Sequence, residues 1–319
     1  MAGVLVTGGA GYIGSHVTRL LVERGEDVVV VDNLSTGFKD AVLGATLIEG
    51  NVGDQDLIAQ VIKDHKVDSV LHFAAHIVVP ESVEKPLKYY GNNTANTRAL
   101  LEVCDEMGIA HFIFSSTAAV YGSPAGGVAS EDSPLQPINP YGWSKLMSEQ
   151  MLRDLSAASD LRHVVLRYFN VAGAEPQGRL GQSTPEATHL IKVACEHVVG
   201  KREGLSIFGD DYDTPDGTCI RDYIHVEDLA LAHLAALDYL RAQKPSATLN
   251  CGYGQGFSVK EVLDVVGRLA DSPLNITKAP RRAGDPATLV AKADLIRQTL
   301  NWQPQYNDIE GIVASALQW

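Results

Sequence analysis

The chain reads as an α/β protein built on a doubly wound parallel sheet, with a smaller α/β lobe attached. Three observations predict this. Short apolar runs alternate with amphipathic helical stretches through the first half of the 319 residues. A glycine-rich turn, Thr7-Gly-Gly-Ala-Gly-Tyr-Ile-Gly14, separates the first run from the first helix. After Asn170 the texture changes, and residues 171 to 188 and 209 to 218 have the composition of loops. Apolar runs joined through helices are how strands covered on both faces appear in a sequence.

Each element follows from its residues. Strands are expected at Val4–Thr7, Asp27–Val31, Ser69–Phe73, His111–Ser115 and His163–Tyr168. Helices are expected at Ile13–Arg24, ended by Gly25, at Leu57–His65, at Asn93–Met107, closed by Gly108, and at Tyr141–Ala158. Beyond the first loop region, helical patterns cover Leu190–Val199, Val226–Leu240, Val259–Leu269 and Ala293–Thr299. Residues 1–170 are expected to form a dinucleotide-binding half. Residues 171–319 are expected to form mainly a substrate lobe over the carboxyl edge of the sheet, with segments crossing back.

Composition narrows the function. Hydrophobic residues make up 45% and charged residues 20%, as in ordinary soluble domains. A net charge of -13 disfavours nucleic acid, whose binders carry basic patches. The first strand starts almost at Met1, and no apolar run approaches the length of a membrane span. The cytoplasm is the expected compartment, with no membrane partner. The four cysteines at 104, 195, 219 and 251 have no metal-pair or dithiol spacing and read as reduced thiols. Cys251 is expected to pack at a strand end, and no metal site is read.

The glycine turn carries the first chemical inference. Gly8, Gly11 and Gly14 lie between a strand and a helix. Gly8 permits a tight turn, Gly11 lets backbone approach a pyrophosphate, and Gly14 lets the helix pack closely. The phosphates then meet free amides at the helix N-terminus. Asp32 ends the second strand, where a carboxylate accepts hydrogen bonds from the adenosine ribose and repels a 2'-phosphate. The sheet is therefore of Rossmann type, and the expected cofactor is NAD.

The second inference rests on Tyr141-Gly-Trp-Ser-Lys145. Residues four apart share a helix face. Lys145 is thus expected beside the Tyr141 phenol, lowering a pKa that is otherwise about 10 and making it a usable base or acid. Thr117, past the end of a strand, is placed to bond a reacting sugar oxygen.

In these residues and beyond, the chain resembles the extended short-chain dehydrogenase/reductase family along essentially its whole length. Within it, the likeness is greatest to the branch that inverts carbon 4 of UDP-glucose and UDP-galactose. The supporting segments include Val31-Asp-Asn-Leu-Ser-Thr-Gly37, Glu81-Ser-Val-Glu-Lys-Pro-Leu-Lys-Tyr-Tyr90, Leu166-Arg-Tyr-Phe-Asn170, Ile207-Phe-Gly-Asp-Asp-Tyr212, Asp216-Gly-Thr-Cys-Ile-Arg-Asp-Tyr-Ile-His-Val226 and Pro280-Arg-Arg-Ala-Gly-Asp285. The resemblance implies that Tyr12, Ile13, Asn33, Asn51, Val52, Phe73, Ala74, Ala75, Asn92, Ser115 and Tyr168 join Tyr141 and Lys145 around NAD. It implies that Asn170, His189 and Leu190 touch a UDP-hexose, with Thr117 and Tyr141. Ser206 and Phe208 should hold uracil, Phe208 by stacking. Arg221 and Arg282 should bind the diphosphate, and Asp285 the uridine ribose.

The implied reaction is removal of the 4-hydroxyl proton by Tyr141 as hydride leaves carbon 4, rotation of the 4-keto sugar, and return of both to the opposite face. NAD is regenerated each cycle and should stay bound. Ala118 and Ala119 stand where related dehydratases and decarboxylases carry acidic residues, and alanine moves no protons. Two positions depart from the family. Ile77 replaces a frequent Lys near the nicotinamide ribose, and Leu289 falls at the position that gates room for a 2-acetamido group. The alternatives are a 4-epimerase acting mainly on UDP-GlcNAc/UDP-GalNAc or UDP-glucuronate, a net dehydrogenase, and a non-catalytic NAD sensor. A homodimer is implied, formed by helices near 93–107 and 141–158, with Leu100, Leu101, Val103, Met147, Met151 and Leu155 apolar enough to serve either as its contacts or as internal core.

Overall fold

Strands with an apolar residue at nearly every position have no face to give to water. The first two, β1 (Gly3–Thr7) and β2 (Val28–Asp32), are accordingly buried throughout. The computed structural model describes residues 2–185, 187–282 and 284–319. Between these strands lies α1 (Tyr12–Glu23), and the chain continues through β3 (Thr46–Glu49), α2 (Gln55–Asp64) and β4 (Val67–His72). Two short helices, α3 (Val79–Glu84) and α4 (Pro86–Tyr89), lead through a π-helical turn (Tyr90–Ala95) into α5 (Asn96–Glu106). Then come β5 (His111–Thr117), β6 (Val128–Ala129), α6 (Pro140–Ala158), β7 (Arg162–Tyr168) and β8 (Asn170–Ala172). The second half holds α7 (Leu190–Val198), β9 (Leu205–Phe208), β10 (Ile220–His225), α8 (Val226–Arg241), β11 (Ala247–Cys251), β12 (Gly256–Ser258) and α9 (Val259–Ala270). It ends with β13 (Ile276–Ala279), β14 (Thr288–Ala291), α10 (Asp294–Leu300) and α11 (Ile309–Gln318).

Seven strands form one sheet in the order β11-β7-β5-β4-β1-β2-β3, and every pairing in it is parallel. The pleat sends alternate residues to opposite faces. Val4, Val6 and Val30 join Val17, Leu21, Leu229 and Leu237 under α1 and α8. Leu5, Val29, Phe112 and Phe114 join Ile58, Leu100 and Leu152 under α2, α5 and α6. A smaller sheet runs β12-β10-β14-β6 with β8 on β10, and β9 pairs with β13.

Several differences from the sequence reading have physical reasons. The edge strand β3 was not expected. It is half exposed, so it lacks the apolar run that marks the central strands. The stretch Ala247–Cys251 is the opposite edge strand, beside β7, and α8 packs against α1, so both belong with the first-half sheet. The helix expected from Asn93 begins as α-helix only at Asn96. The preceding turn is π-helical, and the buried Asn93 amide donates to the His76 carbonyl at 2.9 Å and accepts from the His76 amide at 2.8 Å. Of the two roles open to them, symmetry contact or internal core, Leu100, Leu101 and Val103 take the second and face the sheet. All four cysteines are free and buried. No helix among the described residues is long and apolar enough to cross a membrane.

Candidate active site

The carboxyl ends of β1, β2, β4 and β5 meet the N-termini of α1 and α6, and there the expected residues converge. Gly8 has φ +73, and a Cβ on it would lie 2.5 Å from the Ala74 amide nitrogen. A Cβ on Gly14 would lie 2.2 Å from the Gly8 carbonyl oxygen, so Gly14 packs α1 on the glycine turn itself. A Cβ on Gly11 would meet only that same oxygen, at 3.3 Å, and is otherwise in open space. Gly11 is the N-cap of α1 and supplies no capping side chain, and no acidic residue occupies the first turn. This is a cradle with amides and a dipole for an anion.

Asp32 is buried, and it is also structural. One oxygen accepts from the Ala10 amide at 3.0 Å and the other from Leu34 at 2.8 Å, which ties the glycine turn to β2. A carboxylate has about four lone-pair sites, so capacity for ribose hydroxyls remains. Tyr12 donates its hydroxyl to the Gly173 carbonyl at 2.6 Å, and its own carbonyl bonds Ser15 and His16, so the backbone amides of Tyr12 and Ile13 are what the helix start offers a ligand. Asn33 and Asn51 are exposed, each holding its own turn through a backbone amide. The Val52 side chain lies in the core. Phe73, Ala74 and Ala75 follow β4 at the sheet edge, and Ile77 beyond them is exposed. Asn92 donates to Asn93 at 3.1 Å within the π-helical turn.

The α6 helix starts where its sequence says it should. Asn139 caps it by accepting from the Gly142 amide at 2.9 Å, and Pro140 opens it. Tyr141 is then buried, and the hydroxyl of Thr117, the last residue of β5, acts on its phenol to lower the pKa. Lys145 is buried too, but its ammonium donates to the Ser115 carbonyl at 2.9 Å and lies 4.9 Å from the Phe114 ring centroid. The Ser115 hydroxyl in turn pairs with the Tyr168 hydroxyl. This corrects the expectation that Lys145 lowers the Tyr141 pKa. Burial pushes the phenol up to about 12, offset only in part by Thr117. Burial also pushes Lys145 down to about 8, opposed by Glu149.

The residues expected around the sugar nucleotide fall into linked groups. Asn170, His189 and Leu190 line a cavity of about 510 Å³ with Gln182, whose amide pairs with His189 Nδ1 at 2.9 Å. Arg221 lies one strand away on β10, its guanidinium 3.8 Å from Asp285 and 2.9 Å from the Ile220 carbonyl. Ser206 and Phe208 lie on β9, and the Arg282 guanidinium rests 3.6 Å from the Phe208 ring centroid. Ser206 bonds the Thr277 hydroxyl at 2.9 Å. Leu289 pairs with Arg221 across the sheet and packs with Ala118 and Tyr121, immediately behind Thr117. Ala283, inside the late arginine motif, lies outside the described residues.

Sequence reasoning passed over Asn93, Gln182, Glu149 and Arg167. For Glu149 a signal existed, since it continues the four-residue spacing of Tyr141 and Lys145.

With this geometry in place, the comparisons decide the family. Residues 4–252 match the NAD dependent epimerase/dehydratase family. The UDP-glucose 4-epimerase of Azospirillum brasilense is 58% identical over 317 residues, covering 99% of this chain and 91% of that protein. The chain belongs to the NAD dependent epimerase/dehydratase family. The crystal structure of UDP-glucose 4-epimerase from Brucella ovis, in complex with NAD, superposes with a TM-score of 0.96 at 43% identity, covering 100% and 98% of the two chains. The UDP-Glc/GlcNAc 4-epimerase of Campylobacter jejuni superposes at 0.87 with 51% identity, covering 100% and 99%.

Proposed function

We infer that this protein is an NAD-dependent UDP-glucose 4-epimerase, interconverting UDP-glucose and UDP-galactose through a transient 4-keto sugar. The observation that carries this reading is the burial of Tyr141 and Thr117 together at the end of β5, with Ala118 and Ala119 beside them. One hydroxyl pair can move the 4-hydroxyl proton. No acid stands at 118 or 119 to expel water from a neighbouring carbon, so the ketone is only formed and returned.

Residues 1–170, with α8 and β11, would hold NAD. The cradle of Gly8, Gly11 and Gly14 fits its pyrophosphate, and Asp32 its adenosine ribose. When bound, NAD supplies hydride acceptance and return at the sugar carbon, and a positive ring in its oxidised state. Tyr141 takes and returns the proton, Thr117 orients the sugar hydroxyl, and Lys145 ties their helix to the end of β5 through the Ser115 carbonyl. Asn170, His189 and Leu190 shape the hexose pocket. Phe208, Ser206, Arg221, Arg282 and Asp285 anchor the UDP while the keto sugar turns.

A homodimer is proposed through the outer faces of α5 and α6. Trp143 and Met147, one helical turn apart, are exposed there, and Met151 and Leu155 are half-buried on the same helix. Reduced, buried thiols suit a cytoplasmic enzyme.

The test is incubation of purified protein with UDP-galactose, without added NAD, followed by NMR, with UDP-GalNAc in parallel. Formation of UDP-glucose without added cofactor is the expected result. Turnover in the parallel tube would show that Leu289 leaves room for the acetamido group. If UDP-galactose stays unchanged even with NAD added, the reading is wrong and UDP-glucuronate becomes the substrate to try.

A further inference from the structure

Two full charges are buried directly behind the reacting groups. α6 presents Tyr141, Lys145 and Glu149 at successive four-residue steps, hence on one face. Glu149 is 1% exposed and its partner Arg167, on β7, is 2% exposed. Arg167 Nη2 donates to Glu149 Oε2 at 2.6 Å, and Nε spans both carboxylate oxygens at 3.1 and 3.2 Å. The Ser116 hydroxyl donates to Glu149 Oε1 at 2.5 Å. At the far end Arg167 Nη1 donates to the Tyr121 hydroxyl at 3.0 Å, which donates to Asn250 Oδ1 at 2.6 Å.

Ser116 lies between two residues that touch the reacting pair. The Ser115 carbonyl holds Lys145, and the Thr117 hydroxyl lowers the pKa of the Tyr141 phenol. Replacing a buried ion pair with apolar residues of similar volume is often neutral or stabilising. Stability therefore gives no reason for charges here, whereas directional bonds to two strands do.

We infer that Glu149 is a positioning residue for Tyr141 and Lys145, holding their helix in register with the Ser115–Thr117 end of β5 through Ser116 and with β7 through Arg167. The inference rests on the epimerase reading above. The carboxylate also acts by charge, favouring the Lys145 ammonium against the burial that disfavours it. The other titratable groups around this pair are His72 on β4, Tyr89 on α4 and Tyr168 on β7. His72 is buried and neutral, its pKa lowered to about 3, and the two phenols are raised by burial, so Glu149 is the negative charge that Lys145 meets.

The experiment is Glu149→Gln in the full chain with NAD, read two ways. Kinetics on UDP-galactose give kcat and KM against pH. NMR of lysine-labelled protein follows the Lys145 titration and needs no turnover, so an inactive wild-type protein would count against the epimerase reading and leave this test intact. In Glu149→Gln the Lys145 midpoint moves to lower pH by about one unit, and kcat at pH 8 falls about tenfold with KM changed less than about twofold. Glu149→Asp, which keeps the charge, restores the midpoint. If Glu149→Gln leaves Arg167 unpaired and does not fold, Glu149→Met with Arg167→Met removes both charges and is read the same way. A folded variant with the Lys145 midpoint and the pH profile of kcat unchanged overturns the inference.

Discussion

Arg282 places its guanidinium 3.6 Å from the centre of the Phe208 ring, on a ring proposed to stack against uracil. Arg221, proposed for the diphosphate, faces Asp285, proposed for the ribose, at 3.8 Å. The groups assigned to UDP thus pair with one another in the chain itself. A guanidinium over an aromatic face is worth about 0.5–2 kcal/mol. Phosphate forks are stronger, so a diphosphate can draw Arg282 off the ring. Arg282→Ala should raise KM for UDP-galactose about tenfold while kcat stays within about twofold, because UDP anchoring is shared by ground and transition states. Steady-state kinetics check this, and an unchanged KM would remove Arg282 from the diphosphate site.

Tyr141→Phe removes the hydroxyl proposed to exchange a proton with the sugar. The loss expected for one general acid–base group is about 10²–10⁴-fold in kcat. Burial of the phenyl ring is kept, so the melting temperature should hardly move. A variant within tenfold of wild type would exclude Tyr141 as the proton carrier.

Two glycine variants separate packing from binding. Gly14→Ala drives a Cβ to 2.2 Å from the Gly8 carbonyl oxygen, where backbone must give way. Overpacking of this kind costs about 1–3 kcal/mol, so both melting temperature and NAD retention should fall. Gly11→Ala meets that oxygen only at 3.3 Å and points otherwise into open space. It should melt close to wild type yet bind NAD weakly. Calorimetry and release of NAD on denaturation measure the two effects, and firm NAD binding by Gly11→Ala would place the pyrophosphate elsewhere.

Much of this site was legible because its chemistry is local. The glycine turn, Asp32 and Tyr141–Lys145 each lie within one strand–helix junction, so spacing alone places them. What escaped depends on contacts distant in sequence. Ser116 meets Glu149 33 residues away, and Arg167 meets Tyr121 across 46. A buried Arg or Glu has no periodic signature that separates it from a surface ion pair. The Tyr141 pKa was misjudged for a related reason. Helical spacing shows that Lys145 shares its face, but not that the ammonium turns to the Ser115 carbonyl. The half-exposed β3 and the distant β11 were missed or left unplaced because edge position is a property of the sheet, not of the segment.

Five of the six buried histidines, those lowered furthest, dominate the response to acid. Burial lowers His16, His163, His225 and His233 to about 4 and His72 to about 3. Their unfolded values are near 6.5, so below that pH the unfolded chain binds more protons than the native one. A folded pKa depressed in this way gives stability that is present above pH 6.5 and lost as pH falls towards 4. Asp222, raised to about 6 by burial, acts in the opposite sense, as does Glu227, also raised by burial. Five groups outweigh two, so the melting temperature should fall steadily from pH 7 to pH 5. His233→Phe, beside Phe73 and Tyr168, removes one of the five and should flatten that slope. Calorimetric melting at half-unit pH steps measures it. A melting temperature that rises on acidification would mean that these rings are protonated in the native protein.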